Sequence, residues 1–175
     1  HNLELLYLGQ VHKAKGILDL VSHFKKLKIP HIRLHIVGVG HDLQKAKRLA
    51  KGDKRIVFHG WMQHGGLMPL LGRMDTLIVP SMCYENSPAV IYEALSMGLP
   101  VMAADIGGVP ELIVEGRNGW IFTAGNFDEL NKKIVSLYKQ RDKIKLMSDN
   151  CRHSIAKYNV DNYIDKVLEL ANATK

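Results

Sequence analysis

Two glutamates and a lysine carry most of the chemistry open to this chain. Glu85 and Glu93 stand eight residues apart within Tyr84–Pro100, YENSPAVIYEALSMGLP. In that segment Ser87 suits a helix N-cap, Pro88 a first helical position, Gly98 the residue past the end and Pro100 the stop. The spacing predicts a helix from Pro88 to Met97. Such a helix leaves the amides of Ala89 and Val90 unpartnered, and its dipole favours an anion there by about 0.3–1 kcal/mol. Glu93 sits among Ala89, Val90, Ile91, Ala94 and Leu95, while Glu85 lies in the loop just ahead of the helix. Carboxylates beside an anion-binding helix end are poor phosphate ligands. They are good acceptors for hydroxyls, at about 1.5–3 kcal/mol for each charged hydrogen bond. A phosphate cradle flanked by two hydroxyl readers describes a nucleotide sugar, with Glu93 on the ribose and Glu85 on the sugar. The alternative, a solvated Glu85 and a Glu93 paired with a buried Lys or Arg, needs no ligand.

Three other turns bear on the same chemistry. Gly9-Gln10-Val11-His12-Lys13-Ala14-Lys15-Gly16 is neither GxGxxG nor a phosphate loop ending in GK and Ser or Thr. It still offers a glycine at each end, and Lys15 at a helix start can hold a diphosphate by direct charge contact. Gly38-Val39-Gly40-His41-Asp42 pairs two glycines, which allow close backbone approach to a ligand, with Asp42 placed as an N-cap. Asp105–Glu111 sets Gly107 and Gly108 before a short Pro-initiated helix. Trp61 either stacks on a base or packs. The nine histidines show no metal-ligand spacing, and there is no HExxH, GxSxG or paired CxxC.

The elements that must position these residues alternate along the chain. Leu3–Leu8, Ile32–Val37, Ile56–His59, Thr76–Val79, Val101–Ala104 and, more weakly, Trp120–Thr123 are short branched-aliphatic runs, most of them followed by Gly or Pro. Between them, Ile17, Leu18, Val21, Phe24 and Leu27 repeat at three and four, as do Leu43, Ala46 and Leu49 or Ala50. The segment His64–Met74 is broken by Gly65, Gly66, Pro69 and Gly72. Alternating strand and helix predicts an α/β fold: a doubly wound, Rossmann-like parallel sheet of about six strands, with helices on both faces. From about residue 126 onward the pattern is helical alone, marked by Leu130, Ile134 and Leu137, then Ile144, Met147 and Cys151. Val160, Tyr163, Ile164, Val167, Leu168 and Ala171 mark a last helix, whose apolar face packs on its own domain or reaches a neighbouring one.

Composition bounds the rest. At 175 residues, 46% hydrophobic and 23% charged, the whole chain reads as one ordered domain, residues 1–175. Two cysteines, Cys83 and Cys151, are too few for a disulfide scaffold and read as free thiols in a reducing compartment. No stretch approaches the ~18–20 apolar residues of a membrane span, and no signal peptide is visible. The chain starts without methionine and enters an apolar run at once, as if excised from something larger. A net charge of +7 favours anionic partners, but aromatics are 7% and do not interleave with the basic runs. A nucleic-acid partner is therefore not expected.

Taken together, these residues resemble the C-terminal, donor-binding half of a retaining GT-B glycosyltransferase of glycosyltransferase family 4 (glycosyl transferases group 1). The strongest part is Glu85-x7-Glu93, followed by EALSMGLPVMAADIGGVPELIVEGRNGWIF from Glu93 to Phe122. Weaker parts are the Gly9…Lys15-Gly16 turn, IVGVG at Ile36–Gly40 and VFHGW at Val57–Trp61. The resemblance implies catalytic roles for Glu85, on hydroxyls of the transferred hexose, and for Lys15, neutralising the diphosphate. Backbone from Asn86 through Ser87, Pro88 and Ala89 to Val90 would meet diphosphate and sugar, and Glu93 the ribose diol. Gly9 and Gln10 would border the donor, with the base, uridine or guanosine, near Gly38 and near His59, Gly60, Trp61 and Met62. It implies no cofactor and no metal, a nucleotide-diphospho-sugar donor, and a glycan or lipid-linked acceptor bound through an N-terminal half. It further implies a cytoplasmic location, at the inner membrane face where the acceptor demands it, and no transfer by this fragment alone. The family often has Arg where Gln10 stands; either donor affinity is lower or another basic residue such as Lys13 compensates. A non-catalytic nucleotide-binding module is the alternative, and it would have no use for Glu85.

Overall fold

Branched side chains favour the pleated, doubly covered surface of a parallel sheet, and each of the apolar runs forms a strand. In the computed structural model, which describes residues 2–173, these are β1 (Leu3–Leu8), β2 (Ile32–Val37), β3 (Ile56–Gly60), β4 (Thr76–Val79), β5 (Val101–Asp105) and β6 (Gly119–Thr123). They pair in parallel in the order β3-β2-β1-β4-β5-β6. The chain winds outward from β1 to β3, then returns to β1's other side with β4. The direction of winding thus reverses between β1 and β4.

Side chains alternate between two cores, as period-two strands require. Leu3, Leu5 and Tyr7 of β1, Leu34 and Ile36 of β2 and Phe122 of β6 face α1 (Ile17–Phe24), α2 (Leu43–Ala50) and α5 (Phe127–Lys139). Leu6, Val37, Leu77 and Val101 face the other way, against α3 (His64–Leu71), α4 (Ala89–Ser96) and α6 (Asp142–Ile155). The predicted helical face residues Leu130, Ile134, Leu137, Ile144, Met147 and Cys151 are all buried. In α7 (Val160–Ala173), by contrast, Tyr163 is 71% exposed and Ile164, Val167 and Leu168 about half exposed. The Val160 side chain lies outside the described residues.

Two helix starts differ from expectation. Pro88 takes the N-cap place of α4 with extended backbone (φ −69°, ψ 115°), so the helix begins at Ala89 rather than Pro88. Ser87 does not cap it, because its hydroxyl is engaged with the Tyr92 hydroxyl at 2.8 Å. Asp42 precedes α2 without capping it; its Oδ2 accepts the Lys13 N–H at 2.7 Å instead. That hydrogen bond, aided by His41, holds the Asp42 carboxyl below its usual range. At the sheet's far edge, the outward N–H groups of Ile121 and Thr123 in β6 donate to Glu115 Oε2 (2.8 Å) and Glu129 Oε2 (3.0 Å).

Candidate functional site

In an open parallel sheet the loops leaving neighbouring strands part where the winding reverses, and a crevice opens at the strands' carboxyl ends. Here it lies between β1 and β4, a hollow of about 310 Å³. Tyr7, Leu8, Gly9 and Gln10 line it from the β1 side, Ile78–Ser81 from the β4 side, and Lys15, Glu85, Pro88, Ala89 and Val90 close it. At its centre, Lys15 Nζ donates to Glu85 Oε1 at 2.6 Å, and Ser81 Oγ donates to the same oxygen at 2.6 Å. The amides of Ala89 and Val90, the first two of α4, have no intrahelical partner. One cation, two free amides and one carboxylate therefore meet in a single hollow.

The loops that carry these groups are pinned to one another by backbone contact. Gly16, at φ 72°, lies against Pro80, so that a Cβ there would run into the Pro80 carbonyl. Met82 N–H donates to Ala14 O at 2.8 Å, tying the β4 loop to the short 3₁₀ turn Lys13–Lys15. Gly108 N–H donates to Glu85 O at 2.8 Å, and Cβ atoms on Gly107 or Gly108 would strike the Glu85 or Asn86 backbone. These paired glycines thus serve the approach of one loop to another. Gly38 does the same, packing on the Gly9 carbonyl while its N–H donates to Gly60 O at 2.7 Å.

Of the sequence-predicted site residues, the crevice gathers Gly9, Gln10, Lys15, Glu85, Pro88, Ala89 and Val90. Gly38, Gly60, Trp61 and Met62 stand at the carboxyl ends of β2 and β3, along the same sheet edge but outside its lining. Trp61 is 67% exposed, whereas Met62 is half-buried. Asn86 and Ser87 are exposed beside it. Glu93 is exposed, one helical turn beyond Ala89, and among the described residues its carboxylate has no ion-pair or hydrogen-bond partner. Its apolar sequence neighbours do not bury it, and no buried Lys or Arg holds it. Lys13 is exposed and does not line the crevice.

Sequence reasoning missed Tyr7 and Ser81. The Tyr7 hydroxyl donates to Gln10 O at 2.6 Å and so shapes the Gly9–Gln10 turn. Burial, then the charge of Glu85, pushes the Tyr7 phenol above its ordinary value, which keeps it a donor. Tyr7 reads as one more residue of an apolar strand and Ser81 as a loop residue past Pro80, with no spacing signal to mark either. Three larger hollows, about 520 Å³ beside α5 and α6, about 530 Å³ beside His35 and His59 and about 430 Å³ beside Tyr92 and Tyr158, lack this convergence of cation, amides and carboxylate. Among the described residues no group of His, Cys, Asp or Glu is arranged to hold a metal ion.

The chain is similar to known proteins over most of its length. A family model described as Glycosyl transferases group 1 matches residues 2–140. A sulfoquinovosyl transferase of Arabidopsis thaliana is 29% identical over 157 residues, covering 88% of this chain and 30% of that protein. A lipopolysaccharide 1,6-galactosyltransferase of Escherichia coli is 28% identical, covering 82% of this chain and 43% of that protein. Anabaena HepE, solved in complex with UDP, superposes with a TM-score of 0.84 at 23% identity, over 98% of this chain and 49% of that one. The chain spans less than half the length of each of these proteins, matching one half of a GT-B fold.

Proposed function

The chain belongs to the glycosyl transferases group 1 family, and we propose that it is the nucleotide-sugar-binding half of a retaining hexosyltransferase. The observation that carries this reading is the meeting of Lys15, Glu85 and the Ala89–Val90 amides at the β1/β4 crevice. The donor diphosphate lies between Lys15 and the start of α4. Its charge grows as the bond to the sugar breaks, and preorganised positive charge there lowers the barrier without a metal. Glu85 takes hexose hydroxyls and Glu93 the ribose diol, with Gly38 and Gly60–Met62 beside the base. HepE, crystallised with UDP, is the precedent for a uridine donor; guanosine is the other candidate. The incoming acceptor oxygen, from a glycan or a lipid-linked sugar as in the lipopolysaccharide-directed relative, attacks the face the diphosphate leaves, so configuration is retained. Acceptor binding falls to a second half, since this chain carries one sheet. No helix among the described residues is long and apolar enough to cross a membrane; work in the cytoplasm, against the inner membrane face for a lipid-linked acceptor, belongs to the same proposal.

Calorimetric titration with UDP, UDP-glucose, GDP and GDP-mannose tests it. Glu93→Ala should weaken diphosphate and sugar nucleotide alike, since both carry the ribose. Glu85→Ala should weaken the sugar nucleotide alone, by about tenfold or more for a lost charged hydrogen bond. Equal losses for both ligands in both variants would remove the separate roles, and an unaffected Glu85→Ala would favour a non-catalytic nucleotide module.

A further inference from the structure

Glu85 is bound unevenly. Lys15 Nζ and Ser81 Oγ both donate to Oε1, each at 2.6 Å, while among the described residues Oε2 has no donor. A carboxylate only accepts, so the Ser81 hydroxyl must be the donor in its pair. Ser81 is 3% exposed, and its backbone is held from both sides, by Gly16 packed on Pro80 and by the Met82–Ala14 hydrogen bond. Its hydroxyl is therefore fixed to the same turn that carries Lys15.

We infer that Ser81 is the positioning residue for Glu85, holding Oε1 so that Oε2 stays available to a hexose hydroxyl. The inference rests on the donor-site reading above. Lys15 holds Oε1 less firmly once a donor is bound, because its ammonium then shares its three N–H donors between Oε1 and the diphosphate. Ser81 has no such competing demand. The terminal torsion of a glutamate is broad and soft. Without Ser81, the mostly buried carboxylate (13% exposed) would turn to recover a partner for Oε1. The orientation that suits the hexose would then have to be restored in each binding event. Pre-set geometry of this kind shows up in binding of the group it serves and not elsewhere. A nucleoside diphosphate lacks the hexose and should not sense Ser81; the nucleotide sugar should.

The test is calorimetric titration of the full chain and its Ser81→Ala and Ser81→Thr variants with UDP and UDP-glucose, and with GDP and GDP-mannose. Ser81→Ala should leave the diphosphate Kd within about twofold and weaken the matching sugar nucleotide by about tenfold. Ser81→Thr keeps the hydroxyl and should recover most of that loss. Equal weakening of both ligands would assign Ser81 a merely structural role and overturn the inference, as would no change in either. Should Ser81→Ala fail to fold, Ser81→Cys, similar in size and a weak donor, must show the same one-sided loss or the inference falls. A parent chain that binds sugar nucleotides no more tightly than diphosphates removes the donor-site reading and this inference with it. A parental preference that persists in Ser81→Ala overturns this inference alone.

Discussion

At Glu85 the protein commits an ammonium and a hydroxyl to one carboxylate oxygen, whereas Glu93, one turn past the helix start, stands exposed and unpaired. A second cluster of titratable groups lies elsewhere. His35 Nε2 meets Glu4 Oε2 at 2.7 Å and His35 Nδ1 meets His59 Nε2 at 2.8 Å, with Arg33, Arg73 and Asp75 lining the same hollow. If Glu4 accepts from His35 and His35 from His59, the row is satisfied with both rings neutral. One added proton is accommodated by moving the central hydrogen; with both rings charged, two N–H groups face each other and the His35–His59 bond is lost. Burial first, then the charges of His35 and Arg73, hold His59 below the ordinary histidine value. The folded chain thus binds fewer protons here than the unfolded one as pH falls through about 6.5, and stability should fall with it. Asp75 is shifted the opposite way, upward by burial, and its stabilising contribution is lost as pH rises out of the acid carboxylate range. Scanning calorimetry should find a lower Tm at pH 5.5 than at 7.5, with a shallower drop in His59→Gln. An equally steep drop in that variant would deny His59 the role.

At the scale of elements, β6 is an edge strand whose outward amides are already taken. Glu115 and Glu129 accept from Ile121 and Thr123, where another chain's strand would otherwise pair. Both hydrogen bonds are exposed, so the double variant Glu115→Ala/Glu129→Ala should lose less than the full value of a charged hydrogen bond, about 1 kcal/mol for each. Its self-association should rise with concentration in analytical ultracentrifugation; a variant as monodisperse as the parent would show that the carboxylates do not guard the edge. The strands themselves were legible because each is a pure apolar run closed by a turn former, and β1, β2 and β4 begin and end at the expected residues. Helix starts were less so. Ser87 and Asp42 have the right side chains for caps, yet each is claimed by a partner distant in sequence or on the next turn, Tyr92 for one and the Lys13 amide for the other. Charge and glycine pattern marked Lys15 and Glu85, while Tyr7 and Ser81 stayed hidden because nothing in the sequence distinguishes a buried hydroxyl in a strand or in the loop after it. Glycines in the second and fourth turns permit a close approach without saying of what; in the structure neighbouring backbone makes it.

For the molecule as a whole, the reversal of winding between β1 and β4 is what places a cation, a carboxylate and a helix start in one crevice. The half-exposed apolar residues of α7 mark the other large-scale feature. Leu168→Ser, at a position 55% exposed, should change stability by no more than about 0.5 kcal/mol in urea unfolding. Leu137→Ala, at the buried face of α5, should cost about 2–5 kcal/mol. Comparable losses would mean that α7 is packed as α5 is. Binding of a nucleoside diphosphate in the β1/β4 crevice is tested by a crystal of this chain soaked with UDP or GDP, whichever raises Tm more. Diphosphate density is expected between the Lys15 ammonium and the Ala89 and Val90 amides, and none in the same crevice of Lys15→Ala soaked alike. Density at another site, or undiminished density in that variant, would contradict it.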